Sequence, residues 1–309
     1  ESVLLFGIMF GDAGQGLVFV LIGILMTKGI IKKFPVSPQY GPIFIAMGCS
    51  STVMGILTGE FFCNSEVLQP VSRFITGLFG TPHDHILHLM PSAESVDTLF
   101  IFFLFTISVG FIINSVGLII NIINQISLGN PGKLFFGKTG IAGALFFWYV
   151  IFLTIRIFAF GSAIHLYDWI IIGIALFGVF AAHPLERLVD GHRPIFENSP
   201  GTAVIEGFVE ILEVISSYLS NTVSFLRVGA FALAHAVLGF IIFTMTELVA
   251  SSAGFGVGLL VQIFGNIVVI VLEGMIVSIQ VIRLQYYEFF SKFFTENGRE
   301  FMPLRFKYK

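Results

Sequence analysis

Six stretches of this chain, 41–62, 97–124, 139–160, 164–182, 205–249 and 256–290, are almost continuously apolar. A helix needs about 20 such residues to cross the hydrocarbon core of a bilayer, and the spanning backbone must satisfy its own hydrogen bonds there. The pattern therefore confines the fold to an all-α polytopic membrane protein. Composition agrees: 56% of residues are hydrophobic and 11% charged, where a soluble domain carries about 25% charge. So few charges cannot clothe a soluble globule of this size. That excludes a cytosolic enzyme and a disordered chain. A formal charge of −3 also excludes a nucleic-acid binder, which needs a basic surplus.

Loop charges orient the spans. Lys28, Lys32 and Lys33 share one connection, Lys133 and Lys138 another, and Arg187 and Arg193 a third; Lys292, Arg299, Arg305, Lys307 and Lys309 close the chain. The alternate connections hold only Arg73. The positive-inside rule places the basic side, and with it the C-terminus, in the cytoplasm. The first thirty residues are apolar but broken at Gly11-Asp12-Ala13-Gly14-Gln15-Gly16. They read either as one helix or as the tail of one span, an outer turn and a second span. Because the chain opens directly in an apolar stretch at Glu1, the expectation is the membrane half of a longer protein. Two parts are expected within it: an N-terminal transmembrane bundle over 1–182, its first span truncated, and two long helices with a short cytoplasmic tail over 183–309. Cys49 and Cys63, about 21 Å apart if the intervening run is helical, are too distant for a disulfide. The outer loop 63–96 carries His83, Asp84, His85 and His88, but nothing completes a familiar metal-ligand spacing. A solvated loop is the favoured reading, and no metal site is expected.

Three basic residues fall inside apolar runs: Arg156, Arg227 and Arg283. A charge at the bilayer centre costs several kcal/mol and marks a function by default. Arg156 lies near the outer end of its span, where snorkelling suffices. Arg227 sits mid-way along a run of about 45 residues, too long to cross a bilayer (about 20 residues) without tilting or kinking. On the same helix Glu206, Glu210 and Glu213 share one face; Ser217, Ser220 and Ser224 continue the strip to Arg227, and His235 follows. Glu273, Gln280 and Arg283 form a second strip on the last span, within about 80° of one another at helical periodicity. An ion path and a structural Arg–Glu network both remain open. Arginine stays charged at working pH, so it suits a fixed barrier. Carboxylates and histidine titrate and suit a relay. No acid stands beside Arg227 to bind the ion itself, which points to a carboxylate on another subunit.

Phe6–Gly16, FGIMFGDAGQG, resembles the FGxMFGDxGHG motif of the stator subunit a of V/A-type rotary ATPases, called subunit I in bacteria and archaea. Ser220–His235, SNTVSFLRVGAFALAH, resembles that family's SxxxSYLRLWALxLAH. Leu272–Phe294, LEGMIVSIQVIRLQYYEFFSKFF, resembles LEGLxxxxQxLRLxYxEFFxKFF. The likeness covers nearly the whole chain. It implies about eight transmembrane helices, the last two long and tilted around a rotating ring, and so the split form of the first thirty residues. It implies that Arg227 faces the ring's ion-binding carboxylates, that Arg283 supports it, and that Glu213, Glu273 and His235 occupy half-channel positions. Gln280 stands where some members have histidine. The expected partners are the c-ring (subunit c or K), the peripheral and central stalks through an N-terminal cytoplasmic part, and membrane lipids. The expected location is a bacterial or archaeal plasma membrane. No cofactor and no covalent chemistry are expected; ATP hydrolysis would belong to other subunits. Gln15 departs from the family's histidine, and Val228-Gly229 from its Leu-Trp. A secondary ion transporter would instead show paired repeats with broken helices, of which the sequence has no sign. A structural scaffold would tolerate Arg227→Lys.

Overall fold

The computed structural model describes residues 1–29, 38–64, 67–79, 96–129, 131–161, 163–189 and 200–294. His83, Asp84, His85 and His88 lie outside these. The described residues are helical apart from turns and a Phe61–Asn64 bridge. The helices are α1 Ser2–Met9, α2 Ala13–Thr27, α3 Gly41–Thr58, α4 Gln69–Phe79, α5 Val96–Leu128, α6 Pro131–Phe136, α7 Ile141–Phe160, α8 Leu166–Phe180, α9 Ala182–Val189, α10 Pro200–Ala253, α11 Phe255–Val268 and α12 Gly274–Leu284. Among the described residues, five helical segments are long and apolar enough to cross a membrane: Gly41–Thr58, Leu99–Leu128, Pro131–Ile157, Gly201–Ala253 and Phe255–Lys292. Ala13–Thr27 and Leu166–Phe180 are shorter apolar helices.

The first thirty residues adopt the split form. Asp12 decides this. Its Oδ1 accepts hydrogen bonds from the backbone of Gln15 (2.9 Å) and Phe62 (3.0 Å), and its Oδ2 from Cys63 (2.8 Å). Asp12 thus caps α2 and is held in a nest of backbone N–H groups. Phe62 and Cys63 reach it by adopting positive φ. Ser51 and Thr58 of α3 donate to the carbonyls of Phe10 and Gly11, so the chain reversal is clamped from three sides. The apolar run 41–62 is helical only to Thr58, because Gly59 takes the left-handed conformation (φ 84°) and stops the helix. Glu60 therefore lies in a turn beyond the span rather than in its last turn.

The chain divides into two compact units. One comprises 1–115 and 215–288. In it α2 and α3 approach backbone to backbone: a Cβ on Gly16 or Gly48 would fall within 3 Å of the opposite backbone. Gly41, Gly48 and Gly55 recur every seven residues along α3, which keeps this seam on one face. The core adds Phe6, Phe10, Phe19, Phe225, Val228, Val277 and Leu284. The other unit comprises 116–214 and 289–309. There α7 packs on α8 and α6 on α9, and Asn121 Nδ2 donates to the Thr139 carbonyl at 2.9 Å. Glu60 and both arginines of the polar strips lie in the first unit; Arg156 lies in the second.

Candidate functional site

Two wide π turns interrupt the last helix, at Val269–Glu273 and Gln285–Phe289. Such turns insert one residue and shift the phase of the helix beyond them, and they concentrate at functional sites. One ends on Glu273; the other contains Glu288.

A cavity of about 740 Å³ is lined by Ser220, Asn221, Ser224 and Arg227 of α10, and by Arg283, Tyr287 and Glu288 of the last helix. The two polar strips expected from sequence thus converge at Ser220, Ser224, Arg227 and Arg283. Arg227 is half-buried. Its Nη1 is buried without a hydrogen-bond partner, and among the described residues no carboxylate ion-pairs with it. Phe225 and Val228 flank it inside the apolar core. Opposite, Ser224 Oγ donates to Glu288 Oε1. The site is a polar hollow with two guanidinium groups and one buried carboxylate.

The other expected members separate. His235 Nδ1 lies 2.9 Å from Glu273 Oε2, both almost fully buried. The Phe10 ring sits 4.8 Å from the imidazole, and Glu273 Oε1 has no hydrogen-bond partner among the described residues. Nearby in the same unit, Gln15 Nε2 donates to Asn266 Oδ1 at 2.8 Å. Gln280 is half-buried, its Oε1 unpartnered, and it does not line the cavity. Of the three glutamates on one face, Glu206 and Glu213 are exposed and Glu210 is buried. Glu213 pairs with Lys138 at 2.6 Å, in the unit that lacks the arginine cavity.

Sequence reasoning missed Asn221, Tyr287 and Glu288. The reason is geometric for Glu288. At regular α periodicity it would lie about 140° from Arg283 around the helix, but the π turn brings it to the cavity. Arg156 also differs from its reading as a snorkelling cation. It forms an ion pair with the fully buried Asp168, donates to Tyr167 Oη, and lies 5.4 Å from the Tyr167 ring. Tyr149 Oη adds a 2.6 Å bond to Asp168. Asp168 is the cause: a carboxylate buried in an apolar hairpin needs a cation more than the cation needs water.

Residues 190–306 match the V-type ATPase 116 kDa subunit family. The chain is 48% identical over 145 residues to V-type ATP synthase subunit I 2 of Treponema pallidum, covering 47% of this chain and 32% of the relative. It is 28% identical to A-type ATP synthase subunit I of Saccharolobus solfataricus over 97% of this chain and 49% of the relative. A V-type proton ATPase 116 kDa subunit a 1 from Gallus gallus is 32% identical over 33% of the chain and 13% of the relative. The chain is similar to this family over 190–306 and spans less than half the length of these relatives. The matched segment 190–306 contains the whole arginine cavity and the His235–Glu273 pair, so the family likeness and the polar geometry fall on the same residues.

Proposed function

We propose that this chain is the membrane part of the stator in a V/A-type rotary ATPase, and that it carries two ion half-channels separated by Arg227. The observation that carries this reading is the hollow in which, among the described residues, Arg227 stands without a carboxylate partner. An arginine retained only for assembly would be paired, as Arg156 is. An unpaired guanidinium in an apolar protein calls for an anion from outside the chain, and ring carboxylates supply one.

Chain direction assigns the halves. With the basic connections in the cytoplasm, α10 rises from Glu213 past Ser220, Ser224 and Arg227 to His235, and the last helix descends from Glu273 past Arg283 to Glu288. The Ser224–Glu288 hollow then opens on the cytoplasmic side and the His235–Glu273 pair on the outer side. The two sites are discrete, which a barrier between half-paths requires. A neutral ring carboxylate tolerates lipid; an ionised one does not. Beside Arg227 the ionised form is favoured, so each carboxylate releases its ion there and is reloaded from the other half-path. Rotation and ion flow are thereby tied. The eight-span topology, the tilt of the last two helices and the c-ring and stalk contacts belong to this proposal. In it the chain performs no covalent chemistry.

The test is ATP-driven ion uptake by the reconstituted complex carrying Arg227→Ala, with Thr154→Ala, an exposed α7 position, as control. Loss of uptake in the assembled Arg227→Ala complex supports the reading. Normal uptake makes the charge structural and overturns it.

A further inference from the structure

Four ionisable side chains gather at the Phe10–Asp12 reversal: Asp12, Glu60, His235 and Glu273. Glu60 lies within electrostatic range of the other three. Their surroundings differ. Asp12 is fully buried and both its oxygens are occupied by backbone N–H groups, so it holds the turn and has no lone capacity for exchange. His235 and Glu273 are buried and joined to each other. Glu60 alone of the four is partly exposed. Its position is fixed by its own backbone: its carbonyl accepts from Ala13 N at 3.0 Å, and its N–H donates to the Gly55 carbonyl at 2.9 Å. The Gly59 helix stop places it beyond α3, at the end of the span that the loop charges assign to the outside.

Two further atoms point to a ligand. Gln15 Oε1 and Glu273 Oε1 are buried acceptors with no donor among the described residues; Gln15 is fully buried and Glu273 is 6% exposed. The carboxylates of Asp12, Glu60 and Glu273 act on one another here and make the patch acidic. Such a patch favours a species that donates or is positive: water, a protonated water or a small monovalent cation. Cys63, the remaining titratable neighbour, stays a thiol because burial and the Asp12, Glu60 and Glu273 carboxylates push its pKa up.

We propose that Glu60 is the outer port of the ion path, exchanging the coupling cation between the outer aqueous phase and the buried His235–Glu273 pair. This rests on the stator reading above and adds a residue to it. Burial raises the Glu60 carboxyl to about 7, with His235 opposing and Asp12 and Glu273 adding to the rise. Glu60 therefore changes charge within the working pH range. Ionised, it accepts a proton arriving from His235 and passes it to bulk water; below pH 7 it is already occupied and export slows.

The experiment uses the reconstituted ATPase carrying Glu60→Gln, Glu60→Asp or Arg227→Ala. ATP-driven uptake is followed against the pH of the compartment facing Glu60, with and without sodium. The native rate rises as that pH passes through about 7. Glu60→Gln lowers the rate about tenfold and removes the inflection, and Glu60→Asp restores most of the rate with the inflection moved to lower pH. If sodium is the carried ion, sodium in that compartment slows native uptake by occupying Glu60, and Glu60→Gln lowers the rate and removes that inhibition. Should Glu60→Gln fail to assemble, the inflection in Glu60→Asp decides: an unmoved one overturns the proposal. A native rate and inflection in Glu60→Gln beside a dead Arg227→Ala also overturn it while leaving the stator reading intact. An active Arg227→Ala overturns the stator reading instead.

Discussion

Two arginines in this molecule lie within apolar helices, and their surroundings are opposite. Arg156 belongs to the α7–α8 hairpin, where Asp168, Tyr167 and Tyr149 form a closed set around it. Asp168 also accepts from the His165 backbone and so caps α8. Every charge there has an internal opposite. Arg227 borders a hollow of about 740 Å³ with a second arginine, and its Nη1 finds no acceptor. Among the described residues the first arrangement is complete; the second is not. A low-dielectric setting penalises an unpaired charge heavily, so an arginine left incomplete identifies where another molecule must contribute. On the proposed reading, the same residue type serves as an internal fastener in one unit and an external binding group in the other.

The sharpest test of this contrast separates activity from stability. Arg227→Ala is expected to lower ATP-driven uptake by about a hundredfold or more, equivalent to about 2.7 kcal/mol of barrier. Arg227→Lys is expected to do nearly as much, because a compact ammonium does not reproduce a planar fork of donors. Neither should move the thermal midpoint of the purified complex by more than about 2 °C, since no internal partner is lost. A large fall in midpoint with uptake preserved would put Arg227 in the same class as Arg156.

The converse is expected in the hairpin. Asp168→Ala or Arg156→Ala strands one half of a buried pair, the costly way to break it. The midpoint should drop by about 5 °C or more, while uptake per assembled complex stays within about twofold, below half a kcal/mol. Replacing both, as Arg156→Met with Asp168→Leu, should recover much of the loss. Differential scanning fluorimetry of the single and double variants measures this. If the double variant is as unstable as the singles, the pair is not acting as a unit.

The elements that carry this contrast were legible in the sequence, and the contrast itself shows what a linear pattern omits. The apolar runs, the break at Asp12 and the polar strip from Ser220 to Arg227 depend on local periodicity and turn chemistry, which a sequence displays directly. The pairing of Arg156 with Asp168 crosses the α7–α8 turn, and nothing in either segment alone announces it. Glu288 was hidden because helical spacing is the wrong ruler across a π turn. Glu60 was hidden because the apolar run continues past the residue at which the helix stops. The three glutamates sharing a face on α10 were correctly placed on one helix, but facing is not burial: Glu210 is buried while Glu206 and Glu213 are exposed.

Within the hollow, Ser224→Ala offers a finer test. The hydroxyl donates to Glu288, and an intramolecular hydrogen bond is worth about 0.5–1.5 kcal/mol net. Uptake should fall by about fivefold, just under 1 kcal/mol, because the cavity admits water as a partial substitute. Ser224→Thr, which keeps the hydroxyl, should restore it. The readout is initial uptake rate against ion concentration: a rise in half-saturating concentration with maximal rate held marks Glu288 as an entry group, whereas an unchanged curve removes it from the path.

The smallest effects are expected at Glu213, an acidic residue of the strip that already has a cation beside it. Lys138 and Glu213 meet at 2.6 Å, both about half exposed. An exposed pair of this kind contributes about 0–1 kcal/mol and is screened by salt, so neither Lys138→Gln nor Glu213→Gln should alter the thermal midpoint by more than about 2 °C. Uptake tells the two roles apart. If Glu213 serves only as the partner of Lys138, the two substitutions act alike, each within about twofold, and their effects vanish in high salt. If Glu213 takes the ion, as its family position implies, Glu213→Gln slows uptake several times more than Lys138→Gln, and salt does not erase the difference. The second pattern would place Glu213 with Arg227, among groups whose working partner arrives from outside the chain; the first would place it with Arg156.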